Sequence, residues 1–499
     1  MLRQWRRLTS NMNSKKPKPV FLRYCGAAGK AVRHGASSFN NYLNRHRTTK
    51  ILLTFGVLFI MFWPFVFGRL DFDFGWHLQT GNYIRAHGVP AHDIYTYTAR
   101  SYRWVDHEWG NDVILSFLYG LGGYGLASAL FTTLWSSALL IAGGFRARLF
   151  VLVAATAAIL PYVGIRPVAW TAFFLAVVLS ILRSPRRRLR WYLPVLFLFW
   201  ANVHAGFIAG LAIVAYFAIR ERRKAAAYQL LLCFLVTFVN PYGPRLYGEI
   251  FRTLLDSKLH TQIIEWHYLT VPITAALFIL LWLTGFWMFD RKRWQGWLGV
   301  SPLFFLAMLS ANRNLPLFVV AATRELDTYL GLALRAIPKK LDWRRRGMLY
   351  LLTSLLVGGL IYTLYITFLP WQGNREAGYP KQAVAYLKIH RCPGNLFNSY
   401  DYGGYLIWKL PSQSIYIDGR MPTWQPYMDR YEAIAHDPAA HYPQEFRRYN
   451  IRCALITQAS TPKGAALFKL LQKAHWRTAV QANGSTLLLA PAQAPQQAY

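Results

Sequence analysis

The chain has 499 residues, with 56 Lys and Arg against 21 Asp and Glu, a formal net charge of +35, and 54% hydrophobic and 16% aromatic side chains. Repeated long apolar runs of this content exclude an ordinary soluble globular protein and point to a polytopic membrane protein. The basic residues sit in short blocks between apolar runs, the positive-inside pattern, so the excess charge reports topology and excludes nucleic acid as a partner.

In chain order, residues 1–50 hold twelve Lys and Arg and no Asp or Glu. This segment is expected to be a disordered cytoplasmic tail. Ile51 to Gly68 is a charge-free run of eighteen residues. That is too long for a signal-peptide core, and no small-residue cleavage site follows at Gly68-Arg69-Leu70, so it reads as an uncleaved first span. A first outer loop, Arg69 to Asp112, precedes a return span around residues 124–143.

The later basic blocks are Arg146/Arg148, Arg183 to Arg190, Arg220 to Lys224, Arg291 to Arg293 and Arg335 to Arg346. With every block cytoplasmic, the chain crosses an even number of times between neighbouring blocks, and each intervening segment is a hairpin. The hairpin tips then fall at Arg166-Pro167, at Asn202-Val203-His204-Ala205-Gly206, in a longer outer segment from Asn240-Pro241-Tyr242-Gly243 to about Val271, and at Asn312-Arg313-Asn314. A last span, Met348 to about Leu369, puts the C-terminus outside. The predicted fold class is mainly α, with about eleven transmembrane helices over residues 51–369, N-terminus in and C-terminus out.

Residues 370–490 are expected to form an extracytoplasmic α/β domain. Its expected elements are a helix after Pro380, a strand at Ser414 to Asp418, a helix at Ala465 to Ala474 and a closing hairpin turned by Asn483-Gly484. Residues 491–499 form a flexible tail. Asn483-Gly484-Ser485 also fits a glycosylation sequon, but the flanking strand patterns favour the turn. None of Cys25, Cys233, Cys392 and Cys453 shows metal-ligand spacing. Cys392 and Cys453 share the outer domain, where an oxidising compartment allows a disulfide; two buried thiols are the alternative.

The first outer loop interleaves acids and histidines, including Asp71, Asp73, His77, Asp93, His107 and Glu108, with Phe72, Trp76, Tyr95, Trp104 and Trp109. Two carboxylates at i and i+2 either ligate one divalent metal ion or supply a general base beside a neighbour that orients it, and the spacing leaves both open. A solvated loop is the plain alternative. On the same side the tips offer Arg166, His204 and Arg313, and the third outer segment ends at Glu265-Trp266-His267. Basic groups facing an acidic loop near the bilayer surface suit a lipid-linked phosphate.

These residues carry a resemblance. Asp71-x-Asp73 with Trp76-His77-Leu78 and Gly81, Asp93-x-x-Thr96-Tyr97-Thr98 and His107-Glu108-Trp109 resemble the first-loop signature of bacterial polytopic proteins of the GT-C glycosyltransferase superfamily. Arg166-Pro167, Trp200 to His204, Asn240 to Gly243, Arg313-Asn314, Phe397-Asn398-x-Tyr400, Gly403 to Leu406 and Asp418-Gly419-Arg420 extend it over most of residues 50–425. Gly75 stands where an aromatic is commoner, and Asn111-Asp112 where an apolar and acidic pair is usual.

The resemblance implies transfer of a sugar from a polyprenyl-phosphate-linked donor, among the lipids of a bacterial inner membrane, to a glycan, lipid or protein acceptor outside. Asp73, Asp71, His107 and Glu108 are then the candidate catalytic residues; His77, Asp93, Arg166, His204, Glu265 and Arg313 are the candidate substrate-binding ones. A divalent metal held by Asp71, Asp73 and Glu265 or His77 is left open. The alternative function is a noncatalytic envelope protein or a transporter with a partner-binding outer domain. The charges at loop tips and the lack of an internal repeat weigh against a transporter.

Overall fold

The computed structural model describes residues 46–267, 272–290, 298–336, 375–457 and 462–491. The expected last span, Met348 to Leu369, the end tail and nearly all of the basic N-terminal tail lie outside them. Residues up to Gly56 form one unit, described only as the first turns of the Arg47–Gly68 helix, and Val57–Tyr499 forms the other.

Among the described residues two helices are long and apolar enough to cross a membrane, Arg47–Gly68 and Trp109–Ala142. The second is broken at Gly122 and Gly123, the latter at φ 62°, where only glycine escapes the Cβ clash. The break divides a first segment that starts at Trp109 from a second that starts at Tyr124, the expected start of the return span. Of the expected hairpins, Val300–Ser310 packs on Leu315–Ala336, but Leu149–Ile159 packs on Ile273–Phe289 and Leu315–Ala336 instead of on Val168–Leu182, and Lys224–Val236 packs on both Leu193–Val203 and Phe207–Glu221.

The helix ends differ in chemistry. At the basic-block end Arg148 pairs with Asp327 (2.9 Å), Arg183 with Glu325 (3.6 Å) and Arg190 with Glu221 (2.8 Å). At the opposite end lie Arg166, His204 and Arg313, each where one helix stops and the next begins.

The first outer loop contains a helix that the sequence reading lacks, Phe74–His87, with Phe74, Trp76, His77 and Leu78 buried. It packs on the short Gly403–Lys409 helix through paired glycines: a Cβ on Gly75 would lie 2.0 Å from the Gly404 carbonyl oxygen, and one on Gly404 2.2 Å from that of Phe72. No aromatic fits at Gly75, which accounts for that departure from the GT-C pattern.

The C-terminal domain holds a four-stranded sheet, β1 (Asn395–Asn398), β2 (Ile451–Thr457), β3 (Arg477–Ala482) and β4 (Ser485–Leu489), in the order β1-β2-β4-β3. Strand β1 runs parallel to β2, and the other pairs are antiparallel. The helix after Pro380 (Lys381–Ile389) and the later one (Pro462–Lys473) are as expected. The β3–β4 hairpin turns at Asn483 (φ 51°) and Gly484 (φ 71°), the two positive angles of a two-residue turn that matches strand twist. Cys392 and Cys453 are joined in a disulfide, with Cα atoms 6.0 Å apart.

The expected strand at Ser414 to Asp418 does not join the sheet. Its backbone partners are in the first loop: Ile415 N donates to Tyr95 O (3.1 Å) and Tyr97 N to Ile415 O (3.2 Å). The Asn398 side chain takes up the backbone of Tyr416 and Ile417 on the other side. A segment read as a strand of the outer domain instead fastens that domain to the first loop.

Candidate active site

Asp71 and Asp73 follow the first span directly and precede the Phe74–His87 helix. One Asp71 oxygen accepts the backbone N–H of Asp73 (3.0 Å), which fixes the turn and holds the two carboxylates together. Its other oxygen accepts Arg166 Nε at 2.8 Å, and Arg166 Nη2 reaches Glu265 at 2.5 Å. A guanidinium presents a rigid fork of donors and bridges two carboxylates in this way. The first loop, the first hairpin tip and the third outer segment are thus tied at one point.

Asp73 accepts the Trp76 indole N–H (2.9 Å). The outer domain closes over it: a Cβ on Gly419 would lie 1.9 Å from an Asp73 carboxylate oxygen, so the Gly419 backbone rests on that oxygen. Burial, then the charge of Asp71, push the Asp73 carboxyl up to about 7, against the pull of His77 and Arg166. A carboxyl that ionises near neutral pH is matched to taking a proton from a hydroxyl.

Beside this pair, three imidazoles converge on Glu108, with His204 Nε2 at 3.4 Å, His107 Nε2 at 3.6 Å and His77 Nε2 at 3.7 Å. His204 Nδ1 accepts the Gly206 backbone N–H (3.0 Å) and meets Thr171 Oγ1 at 2.6 Å, and Trp200 Nε1 donates to Thr171 (3.0 Å). With Nδ1 used as an acceptor, the His204 proton sits on Nε2 and faces Glu108. His77 Nδ1 is 2.6 Å from Asp112, whose same oxygen accepts the Asn111 side chain (3.1 Å). Burial raises the Glu108 carboxyl despite His77 and Arg313, and lowers His107 to about 4, so its imidazole is neutral at pH 7.

Arg313 lies over the Trp266 ring, 4.6 Å from its centroid, next to Glu265. For Glu265 the cost of burial is outweighed by Arg166 and Arg313, and its carboxyl falls below the usual range. Nine of the ten predicted site residues fall in two neighbouring polar groups, Asp71, Asp73, Arg166 and Glu265 in one and His77, His107, Glu108 and His204 in the other, with Arg313 electrostatically coupled to Glu265 and Glu108.

The tenth, Asp93, does not. It caps the Thr96 backbone (2.9 Å) and pairs with Arg420 (2.8 Å), which also holds Asp418 through Nε and Nη2. Arg420 is sealed among Tyr95, Trp104 and Trp424. Asp93 therefore locks the outer domain onto the first loop. The sequence reading quoted Asp418-Gly419-Arg420 and Asp112 but gave neither a role; Asp112 is fully buried against His77.

As a metal site the group fits poorly. Among the described residues no three His, Cys, Asp or Glu are arranged as ligands to one ion. The Arg166 guanidinium takes the position between Asp71 and Glu265 that a cation would need.

No protein-family model and no curated protein matches the sequence. Solved structures do. ArnT from Cupriavidus metallidurans in the apo state is similar at 12% identity and a TM-score of 0.51, over 89% of this chain and 99% of that one. The archaeal oligosaccharyltransferase AglB from Archaeoglobus fulgidus, solved with an inhibitory peptide and a dolichol-phosphate, matches at 11% identity and a TM-score of 0.55, over 90% and 75% of the two chains. The Archaeoglobus oligosaccharyltransferase tethered to an acceptor peptide gives 12% identity and 0.51, over 81% and 68%. With the first-loop acids, the helix-to-helix turns and the C-terminal domain gathered as described, the chain has the fold of ArnT and of the oligosaccharyltransferase AglB.

Proposed function

We propose that this chain transfers a sugar from a polyprenyl-phosphate-linked donor to an acceptor on the outer face of a bacterial inner membrane, with Asp73 as general base. Asp73 takes the acceptor proton as the acceptor oxygen attacks the anomeric carbon. The bond from that carbon to the phosphate oxygen breaks, and its electron pair leaves with the lipid phosphate. Such a displacement needs one base and positive or hydrogen-bonding groups at the leaving oxygen, unlike hydrolysis with two flanking carboxylates. Arg313, Arg166 and the imidazole of His107 supply the latter, while His204, whose one N–H faces Glu108, helps to fix that carboxylate. Glu108 orients the three histidines, and Asp71 turns Arg166 toward the leaving group.

The observation that carries this reading is the linkage from Asp73 through Asp71 and Arg166 to Glu265, with the Asp73 carboxyl half-buried and pushed up to about 7. The topology is part of the proposal: about eleven crossings, N-terminus in and C-terminus out, with residues 51–369 as the membrane domain and 370–490 as the outer domain. The neighbouring structures, one solved with a dolichol-phosphate, support a lipid-linked donor in general.

Sugar transfer in membranes carrying matched amounts of each variant tests it. Asp73→Asn keeps size and most hydrogen bonding but cannot take the proton, and should lose ~10²- to 10⁴-fold in turnover. Near-normal turnover would move the base elsewhere, to Glu108 or Glu265 first.

A further inference from the structure

A second polar pocket lies between Leu70, at the end of the first span, and the Arg375–Glu376 and Trp408–Lys409 segments of the C-terminal domain. Its cavity is about 320 Å³, walled by Leu70, Tyr119, Tyr124 and Trp408, with Arg375 and Lys409 as its cations. The Arg375 guanidinium stacks on Phe67 (4.0 Å to the centroid) and Tyr124 (4.5 Å), and Lys409 Nζ stands 3.3 Å over Trp408. Glu376 is the one carboxylate in the lining; it holds Lys409 (3.3 Å) and Lys381 (3.7 Å) and accepts the Tyr405 hydroxyl (2.8 Å). Two lining cations against one carboxylate leave a surplus of one positive charge, and Lys381, outside the lining, helps to hold Glu376. None of the ion pairs among the described residues uses Arg375.

The depth of the pocket is set by its walls. Phe67 is in the last turn of the first span, and Tyr119 and Tyr124 flank the Gly122-Gly123 break where the Trp109–Ala142 helix turns into its second segment. Phe117 and Leu121, just before that break, are 51% and 66% exposed, which suits contact with acyl chains. A cationic, aromatic-walled cavity at headgroup depth selects an anion carried by a lipid, since stacked Arg and Lys keep their donors free for phosphate oxygens.

We propose that this pocket binds the headgroup of an acidic phospholipid, its phosphodiester on Arg375 and Lys409, and that the bound lipid clamps the first span to the outer domain. The charge surplus rejects a headgroup that carries its own ammonium. Glu376 and the Tyr119 hydroxyl suit a headgroup bearing free hydroxyls, as phosphatidylglycerol does.

Native mass spectrometry of the full chain, released from nanodiscs of equal phosphatidylglycerol and phosphatidylcholine, tests this. The wild type should retain phosphatidylglycerol over phosphatidylcholine about tenfold, the worth of one charge-assisted contact. Arg375→Ala should abolish the preference, while Arg375→Lys, which keeps the charge, should keep most of it. Should Arg375→Ala fail to fold, Lys409→Gln carries the same expectation. Equal retention of the two lipids by the wild type overturns the proposal. So does displacement of the lipid by inorganic phosphate alone, which would make this a phosphate site, or by a single-chain prenyl phosphate at equal concentration, which would make it a seat for the sugar carrier.

Discussion

Gly419 offers the sharpest perturbation, because it lies in the outer domain and touches the proposed base. A Cβ there would stand 1.9 Å from an Asp73 oxygen, against an ordinary contact that begins at 3.4 Å, so Gly419→Ala demands a displacement of about 1.5 Å. The segment cannot lift freely, since Arg420 next to it is held by Asp93 and Asp418. The carboxylate is then the part that moves, away from the Trp76 indole that now fixes it. A misplacement of ~1 Å at a reacting group can cost ~10²-fold, so turnover should fall by about that factor while stability changes by no more than the ~1–3 kcal/mol of an overpacked site. The assay is single-turnover sugar transfer beside thermal unfolding of the same preparation. In the Asp73→Asn background Gly419→Ala should add little, because both changes act through one group. Full turnover by a folded Gly419→Ala protein, or losses that simply multiply, would refute the claim that the outer domain positions Asp73.

That contact bridges 346 residues of sequence, and nothing local in the sequence announces it. What was legible is local: the apolar runs that form helices, and the breaks between them that carry Arg166, His204 and Arg313. The Asn483-Gly484 turn was legible because two positive φ angles in succession demand those residue types. The Phe74–His87 helix was hidden because its buried residues face several partners at once, leaving no clean apolar stripe. Strand-like alternation at Ser414 to Asp418 was real, but periodicity does not name the partner, and the partner is the first loop. Asp93 looked like its neighbours Asp71 and Asp73 because an acid near aromatics reads the same whether it faces substrate or a buried arginine. The GT-C pattern pointed at Asp418-Gly419-Arg420 without its reason, which is that the glycine admits Asp73 and the arginine locks the domain.

Three further outcomes check the structure. Replacing Cys392 and Cys453 by serine opens a loop spanning 61 positions, which should cost ~4 kcal/mol, read as a lower melting temperature; an unchanged melt, with the oxidised protein also indifferent to reductant, would count against the disulfide. Arg420→Gln leaves Asp93 and Asp418 buried without their cation and should destabilise by ~3–5 kcal/mol, seen as protease sensitivity of residues 375–457; wild-type resistance would contradict the lock. The last concerns pH. Asp73 must be ionised to act as base, and its carboxyl is pushed up to about 7 by burial and by the Asp71 charge. The rate should therefore be low in acid and rise with pH through about 7, and Asp73→Asn should remove that limb along with the activity. Asp71→Asn deletes a negative neighbour, which lowers the Asp73 carboxyl directly, and it frees Arg166 from one of its two carboxylates, which acts in the same direction. Both effects favour the ionised base, so the acidic limb of kcat/KM should shift to lower pH even though the plateau falls with the loss of Arg166 orientation. A limb that stays in place or moves upward in Asp71→Asn would mean that the ionisation seen in the rate belongs to another group, of which Glu108, also raised by burial, is the first to examine.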